Sequence, residues 1–535
     1  MAMLVRNLTL GLDEPESELA ALAAKKLGVS VEQIRWLRVV RKSLDARPRH
    51  MGYVFAVAVE LVSGARPARG RAAARDVQPY HRPPRPTDKI HPGSEPLSGP
   101  PVIVGAGPAG LFGALLLAEA GYRPVLLERG RGAERRDADV KAFTDQRRLD
   151  PESNFLFGLG GAGAYSDGKL YTRTHDPLGA WIVEQFVAFG ADPEIAVSGK
   201  PHVGSDKLPG ICRNLACRIE ALGGEVRFDC RVDEIEIADG TVRALQLADG
   251  ERLETGCVLL GIGHSARDTY AMLARRGVAM SPKPFQMGLR IEHPQRLIDR
   301  AQLGEYADRP ELTPADYHLV ARGAAGDRDV FSFCMCPGGR VLPITTEVGT
   351  IGTNGGSTRA RDSQLASAAL VVTTDAHIQP SGGDPLVGLD LQRRIEQACF
   401  RAGGGDYTLC AQRVSDFLAG RASTGAIDTG SLTGARGCDF HQLLPESLCT
   451  ALGRALEVFE RRIPGFAGPD AVLLGPETRA SSPVRIERDR ERRASLSAGN
   501  LYPIGEGAGY AGGIVSAAVD GLRSAQTVIA RYARR

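Results

Sequence analysis

Apolar and polar positions alternate with two different periods along the chain, and the changes of period divide it. Residues 3–8, 33–42 and 52–62 carry the every-second-residue pattern of strands, and 15–27 the spacing of a helix. This β-α-β-β order predicts a small α+β module, ferredoxin-like in type, over residues 1–62. Residues 63–99 lose the pattern. They are dense in proline and hold Arg66, Arg69, Arg71, Arg75, Arg82 and Arg85, which predicts a linker or strap. Aromatic residues are too few there to favour a nucleic-acid arm. From residue 100 onward strand and helix patterns alternate, as in an α/β domain. Residues 285–345 and 405–415 are richer in strand patterns and predict a second, mostly antiparallel layer. Helical spacing returns at 388–401 and 445–462, and the chain closes with a strand at 501–504 and a helix at 512–533.

Composition narrows this picture. Glycine stands at 64 of 535 residues, about 12% against a usual level of roughly 7%, which points to tight turns and close backbone approach to a ligand. Lys plus Arg is 66 and Asp plus Glu 63, a net charge of +3, so the balance does not indicate a nucleic-acid partner. The most apolar stretch, 102–118, is broken by Gly105, Gly107, Pro108 and Gly110 and falls short of the ~20 residues of a membrane span. The first residues turn acidic without a signal-peptide core, so a cytoplasmic location is expected. The ten cysteines are then expected as reduced thiols. No CxxC occurs, and Cys212 and Cys217 lie on a predicted amphipathic helix, where packed thiols are expected rather than a redox disulfide.

Residues 101–130 read PVIVGAGPAGLFGALLLAEAGYRPVLLERG. A buried strand runs into Gly105, Gly107 and Gly110 and then into an apolar helix. Gly105 permits the turn, Gly107 the approach of a pyrophosphate, and Gly110 close packing of helix on strand. A helix N-terminus offers that pyrophosphate unpaired N–H groups and the positive dipole end. A second strand, 124–127, ends at Glu128, placed to accept hydrogen bonds from an adenosine ribose. The further GxGxxG of Gly158, Gly160 and Gly163 lacks a core-packing helix and predicts a backbone loop along the cofactor. Residues 258–264, VLLGIGH, form a strand returning to the cofactor. Residues 499–521, GNLYPIGEGAGYAGGIVSAAVDG, predict a strand, a glycine-rich turn with Glu506 on the ribityl chain, and a helix whose N-terminus faces the flavin. That late return favours FAD over NAD.

The stretches SLDARPRHMGYVF, VGAGPAGLFGAL, GGAGAYSDGKL, HVGSDKLP, IGHSARDTY, KPFQMGLRIEHPQ, SFCMCPGG, ETRASSPVRI and GEGAGYAGGIVSAAVDG carry a resemblance. The chain resembles the FAD-dependent, NAD(FAD)-utilising dehydrogenase-like flavoproteins of bacteria and plastids, over about residues 43–521. More remotely it is similar to the glutathione-reductase structural class without a separate NAD domain. The resemblance implies FAD and an oxidoreductase fold and leaves the substrate open. It departs at Gly355 and Gly356, where a bulkier residue is expected. Cofactor contacts are expected at Gly105, Gly107, Pro108, Ala109, Gly110, Glu128, Arg129, Gly161, Gly163, Asp167, Gly168, Val232, Gly263, Gly505, Glu506, Gly513 and Ile514.

Catalytic candidates must reach the flavin ring. Glu477 and Arg479 are placed to orient a substrate carboxylate or a nicotinamide amide, or else form an internal ion pair. Cys334 and Cys336 alternate on a predicted strand and so face one side, as a redox or nucleophilic pair or, more simply, as packed thiols. Arg290 and Glu292 share a strand face and are expected to pair. His293 is a candidate general acid. His264 and Arg267 are assigned to packing or to the adenosine end. No metal-ligand spacing and no nucleophile elbow occurs. The expected architecture is an α/β, glutathione-reductase-class FAD-binding Rossmann domain (100–283 and 470–535), an inserted α+β cap or substrate domain (284–469), the N-terminal module and the linker. The expected activity is hydride transfer between FAD and an organic small molecule, with NAD(P)H as transient co-substrate. A flavin-dependent RNA-modifying or RNA-binding protein and a non-catalytic flavin sensor are the alternatives.

Overall fold

A computed structural model of the chain describes residues 2–47, 51–67, 73–88, 90–172, 175–374 and 384–534. Residues 48–50 of the quoted SLDARPRHMGYVF stretch, and Arg69 and Arg71 of the predicted linker, lie outside them. The chain divides into two compact units, residues 1–85 with 169–202, and residues 86–168 with 203–535.

The first unit is built on a four-stranded sheet ordered Ile34–Asp45, Gly52–Leu61, Met3–Gly11, Val77–Pro79, with every neighbouring pair antiparallel. The Met3–Gly11 strand turns Val5, Leu8 and Leu10 inward, with a register shift between Val5 and Leu8. The helix Leu19–Leu27 buries Leu19, Ala23, Ala24 and Leu27 against Phe55, Val57 and Val59. It starts later than its apolar spacing predicts because the chain from Pro15 first takes a 3-10 turn, Glu16–Glu18. Two features depart from the predicted boundaries. The Pro/Arg-rich stretch contains a strand, Val77–Pro79, which adds to the sheet edge beside Met3–Gly11. Residues 169–202, expected in the cofactor domain, group with the N-terminal unit. The reason is local: the Lys42 amide donates to the Val197 carbonyl and the Gly199 amide to the Lys42 carbonyl at 2.7 Å, so the edge strand is continued by residues 197–199.

The second unit holds a parallel five-stranded sheet ordered Leu501–Pro503, Cys257–Leu260, Pro101–Val104, Val125–Leu127, Glu225–Arg227. Its strands are short, and all but the edge strand Glu225–Arg227 are apolar and buried throughout, as strands buried on both faces must be. A three-stranded antiparallel meander, Val232–Ala238, Thr241–Leu247 and Arg252–Glu254, accompanies it. The helix Pro108–Glu119 buries every residue from Ala109 to Ala118, because it lies between the sheet and the C-terminal helix Ile514–Arg531. Small residues permit that approach: a Cβ on Gly521 would strike the Ala109 carbonyl.

The same unit contains a seven-stranded sheet ordered Val320–Ala325, Arg328–Cys336, Leu365–Thr374, Phe285–Pro294, Val472–Glu477, Leu409–Arg413, Ala435–Gly437. The first six are antiparallel and the last pair parallel. The helix Glu446–Arg462 buries Leu448, Leu452, Leu456 and Phe459, and a hairpin pairs Arg340–Ile344 with Gly352–Gly356. The central strand Phe285–Pro294 is buried from Met287 to His293, including Arg290, Glu292 and His293. The alternation expected for Cys334 and Cys336 is broken: pairing with Leu365–Thr374 shifts between Phe333 and Cys336, and Cys334 takes φ +46. The two glycines expected to be bulkier are demanded by packing. A Cβ on Gly355 would collide with the Arg290 guanidinium, and one on Gly356 would lie 2.5 Å from the Tyr165 carbonyl. Cys212 is buried and Cys217 exposed on the helix Leu208–Ala221.

Candidate functional site

The glycine loop after the Pro101–Val104 strand is the core of the site. Gly105 has φ +97, and a Cβ there would strike the Gly261 carbonyl. Gly110 abuts the Gly105 carbonyl so closely that no side chain fits. Gly107 is different: nothing lies within 4 Å of where its Cβ would stand, so the loop opens onto free space at that residue. Gly107 is the N-cap of Pro108–Glu119, and Gly513 is the N-cap of Ile514–Arg531, each without a side-chain cap bond. A Cβ on Gly163 would lie 3.3 Å from Ile514 and 3.7 Å from Pro108, and one on Gly161 3.2 Å from the Gly107 Cα. Gly505, at φ +74, packs on Ala109, and Gly507 packs on Gly263. Two helix N-termini and three glycine loops, distant in sequence, thus converge. Backbone N–H groups without side-chain caps at a positive dipole end are what a pyrophosphate needs, so the residues present fit the dinucleotide part of FAD.

Carboxylates and one buried arginine hold the loops in place. Glu128 Oε2 accepts from the Ala106 amide at 2.7 Å, and Oε1 from the Gly130 and Gly158 amides at 3.0 and 2.9 Å. A carboxylate offers about four lone-pair sites, so three amide donors leave Oε2 with capacity for one more. Val232 begins the meander two residues after Cys230, whose amide donates to the Glu128 carbonyl. Arg136 is buried and donates to the carbonyls of Asn154, Leu159 and Gly161 at 2.7–2.9 Å. Asp167 is taken up by Ser357 at 2.5 Å and Arg361 at 2.8 Å, and Gly168 packs on Leu208. Arg129 is held by Glu152 and Asp268 at 2.8 Å. Asp520 Oδ2 accepts from the Gly505 amide at 2.8 Å and Arg488 closes on its other oxygen at 2.8 Å. Asp520 and Arg136 were not singled out in the sequence; Asp520 lies in the VDG that ends the last quoted stretch.

Tyr270 is the third such residue. Its hydroxyl donates to the Gly507 carbonyl at 2.6 Å and lies 3.2 Å from the Gly263 carbonyl and 3.1 Å from Ser482 Oγ. It pins the 263 loop, the 507 turn and Ser482 at one point. Beside this point Lys283 Nζ reaches the Ser482 carbonyl at 3.3 Å. Burial pushes the Glu506 carboxyl up to about 7 against the opposing charge of Lys283, and Cys334 adds to the rise. Tyr270→Phe removes the donor and leaves the Gly507 carbonyl without it. The expected result is a loss of about 1–3 kcal/mol in stability, read as a lower thermal midpoint, together with weaker flavin retention.

The predicted catalytic residues are not brought together as one group. Glu477 pairs with Arg290, Nε to Oε2 at 3.0 Å and Nη2 to Oε1 at 3.2 Å, and accepts from Thr353 at 2.9 Å. The expected Arg290–Glu292 pair is therefore replaced, because the neighbouring strand offers Arg290 a carboxylate in better register. Arg479 is buried and bidentate to Glu396 at 3.0 and 2.8 Å, which leaves it no free edge for a substrate. Arg267 closes on the same carboxylate at 2.8 and 3.0 Å. Burial alone would raise the Glu396 carboxyl, but Arg479 and Arg267 outweigh it and hold it at about 2. Burial and the same two arginines push His264 down to about 4. His293 packs on Phe466 with centroids 4.5 Å apart and its Nε2 lies 2.8 Å from the Phe466 carbonyl. Burial pushes it down to about 4, so it is a neutral core residue at pH 7, not a general acid.

Glu292, on the strand of Arg290, accepts from the Gly430 amide at 2.8 Å with Oε1, while Oε2 is buried without a hydrogen-bond partner. Burial pushes it up to about 7 from an ordinary 4.5. A carboxyl raised on folding contributes stability that is complete below 4.5 and is lost as pH rises through about 7. Glu292→Gln keeps the neutral shape at every pH. Its thermal midpoint is expected to fall less than the wild type's between about pH 5 and about pH 8; parallel profiles would show that Glu292 ionises freely.

Three family models match the chain. One described as FAD binding domain covers residues 100–147, one described as FAD-dependent protein, C-terminal domain-like covers residues 284–480, and a domain of unknown function covers residues 3–60. A protein of Clostridium beijerinckii described as uncharacterized is 40% identical over 535 residues, 99% of each chain. Among solved structures, glycine oxidase from Bacillus cereus matches at 9% identity, TM-score 0.35, over 82% of this chain and 99% of that one. The E. coli quinol fumarate reductase FrdA matches at 13%, TM-score 0.36, over 81% and 70%. CtdE in complex with FAD matches at 11%, TM-score 0.30, over 79% and 81%. Among the described residues no helix is long and apolar enough to cross a membrane. With FAD-dependent family models over both the glycine loop and the antiparallel sheet, and a relative aligned end to end, the chain belongs with its Clostridium beijerinckii relative to one family of FAD-dependent proteins.

Proposed function

We propose that the protein transfers a hydride between FAD held in the glycine cradle and a small organic substrate, with NAD(P)H as a transient electron donor. The observation that carries this reading is the meeting of two helix N-termini capped only by glycine, Gly107 and Gly513, at one open space. The parallel five-stranded sheet with its antiparallel meander supports a glutathione-reductase-class FAD domain within residues 100–283 and 470–535, less residues 169–202, which group with the first unit, and the strand Val472–Glu477, which belongs to the seven-stranded sheet. The seven-stranded sheet supports a substrate domain over 284–469 extended by the strand Val472–Glu477, and the four-strand order supports a ferredoxin-like N-terminal module.

FAD, when bound, supplies the two-electron chemistry. The chain's own part is positioning. The amides following Gly107 and Gly513 orient the phosphates, and Glu128 presents its remaining lone pair to the ribose. Glu506 presents a carboxyl group that holds or releases a proton near neutrality, and Lys283 sets the charge opposite it. Buried Tyr270 and Arg136 keep the surrounding loops closed to water.

Anaerobic mixing with NADPH and then NADH, followed by flavin absorption, tests the donor: bleaching is expected with one of them, and its absence with both would remove NAD(P)H from the reading. A purified protein that neither carries FAD nor takes it up would overturn the reading as a whole. Glu506→Ala is expected to weaken FAD retention by about 1.5–3 kcal/mol, the range for a hydrogen bond to a charged group, measured by flavin titration. Unchanged affinity would remove Glu506 from the site.

A further inference from the structure

We propose that Cys334 and Cys336 form a redox-active dithiol/disulfide couple that exchanges an electron pair with the flavin. The inference rests on the FAD reading above and adds to it a second electron store. An ordinary strand would hold the two thiols in equivalent packed positions; this one does not. The bulge between Phe333 and Cys336 takes Cys334 out of the ladder, and Cys334 is the only cysteine among the described residues with positive φ. Such backbone in a residue other than glycine persists where surrounding structure enforces it, often at functional sites.

The bulge folds the segment back on itself. Cys336 Sγ donates to the Cys334 carbonyl at 3.3 Å, so the second thiol is turned toward the first residue. Gly355 makes the room, since a Cβ there would lie 2.9 Å from Cys336 Sγ. Both thiols interact with the Arg290 guanidinium, whose Nη1 also reaches the Cys334 carbonyl at 3.5 Å. Cys334 is half-buried where Cys336 is buried, and Gly356, next to the Gly355 against which Cys336 Sγ lies, packs on the Tyr165 carbonyl in the glycine loop that reaches Gly107. The pair thus lies beside the loop that borders the cofactor cradle, with Cys334 the more accessible of the two.

In the oxidising direction the two S–H bonds break and one S–S bond forms. The two electrons and two protons pass to FAD, giving FADH2; the reverse step regenerates the dithiol. No other oxidant is required.

Both cysteines lie on one tryptic peptide, residues 329–340, which holds no further cysteine. After treatment of the protein with diamide, that peptide is expected to resist iodoacetamide, and after reduction to carry two alkyl groups. Anaerobic titration of the oxidised holoprotein with dithionite is expected to consume four electrons per flavin, and two in Cys334→Ser and in Cys336→Ala. Cys334→Ser is the safer variant for folding, since Cys334 is not in the core. Full alkylation after diamide, or two-electron uptake by the oxidised wild type, would overturn the proposal. The peptide is read equally well without flavin: a protein that bears the disulfide but never takes FAD sinks the FAD reading and the electron exchange, whereas one that binds FAD and takes up two electrons sinks this proposal alone.

Discussion

Gly107→Val is expected to fold with the thermal midpoint of the wild-type apoprotein and to bind FAD roughly 100-fold more weakly, the loss of about 3 kcal/mol of charge-assisted hydrogen bonding. The two halves of this result come from one observation. Because nothing lies within 4 Å of the Gly107 Cβ position, an isopropyl group meets no protein atom at its root and leaves the apoprotein undisturbed. The same group fills the opening in front of the Pro108–Glu119 N-terminus, where the pyrophosphate is to sit. Gly110→Val is the contrasting control: it drives a side chain into the Gly105 carbonyl and is expected to destroy the fold. Wild-type FAD affinity in Gly107→Val would move the cofactor away from this loop.

Among the charged residues, the largest stability effect is expected at Glu396. Its carboxylate takes Arg479 and Arg267 together, with Thr478 at 2.7 Å. Arg267 also reaches Glu347, which in turn holds Arg393 at 3.0 Å. Glu396→Ala leaves two guanidinium groups facing each other in the interior, with Arg267 still held by Glu347. Breaking a buried pair in this way costs about 3–5 kcal/mol, and the expected readout is a marked drop in the thermal midpoint at neutral pH. The pH dependence has the opposite sign to that of Glu292. With its folded value held at about 2, below the ordinary 4.5, Glu396 contributes stability that is complete above 4.5 and is lost as pH falls toward about 2. Glu396→Ala should therefore narrow its gap to the wild type in acid. A constant gap across that range would show that the carboxylate is not the stabilising species.

What could be read from the chain and what could not divides along sequence distance. The strand, turn and helix around Gly105, Gly107 and Gly110 were legible because each signal acts within a few residues: apolar run, glycine spacing, apolar helix. The return of 258–264 and of 499–521 was legible for the same reason. The partners of the charged residues were not. Arg267, Glu396 and Arg479 are far apart in the chain, and no local pattern says that one carboxylate will serve both arginines. Glu477 and Arg479 read as a matched pair at close spacing, yet each found a partner on another element. Cys334 shows a different limit: alternation predicts a common face, and a single left-handed residue reverses the prediction without any glycine to announce it. The Val77–Pro79 strand was hidden by its proline, which an edge position tolerates.

The edge strand of the first unit is continued by residues 197–199, and that has a consequence for inheritance. A recombination event that moved only the first 85 codons would carry the sheet without the segment that finishes its edge, and would leave residues 169–202 behind without the strand they complete. Domain shuffling at a single crossover is thereby disfavoured, so the N-terminal module and the flavin-binding region should travel through genomes as one open reading frame. The alignment of the Clostridium beijerinckii relative over 99% of both chains is in keeping with such joint descent.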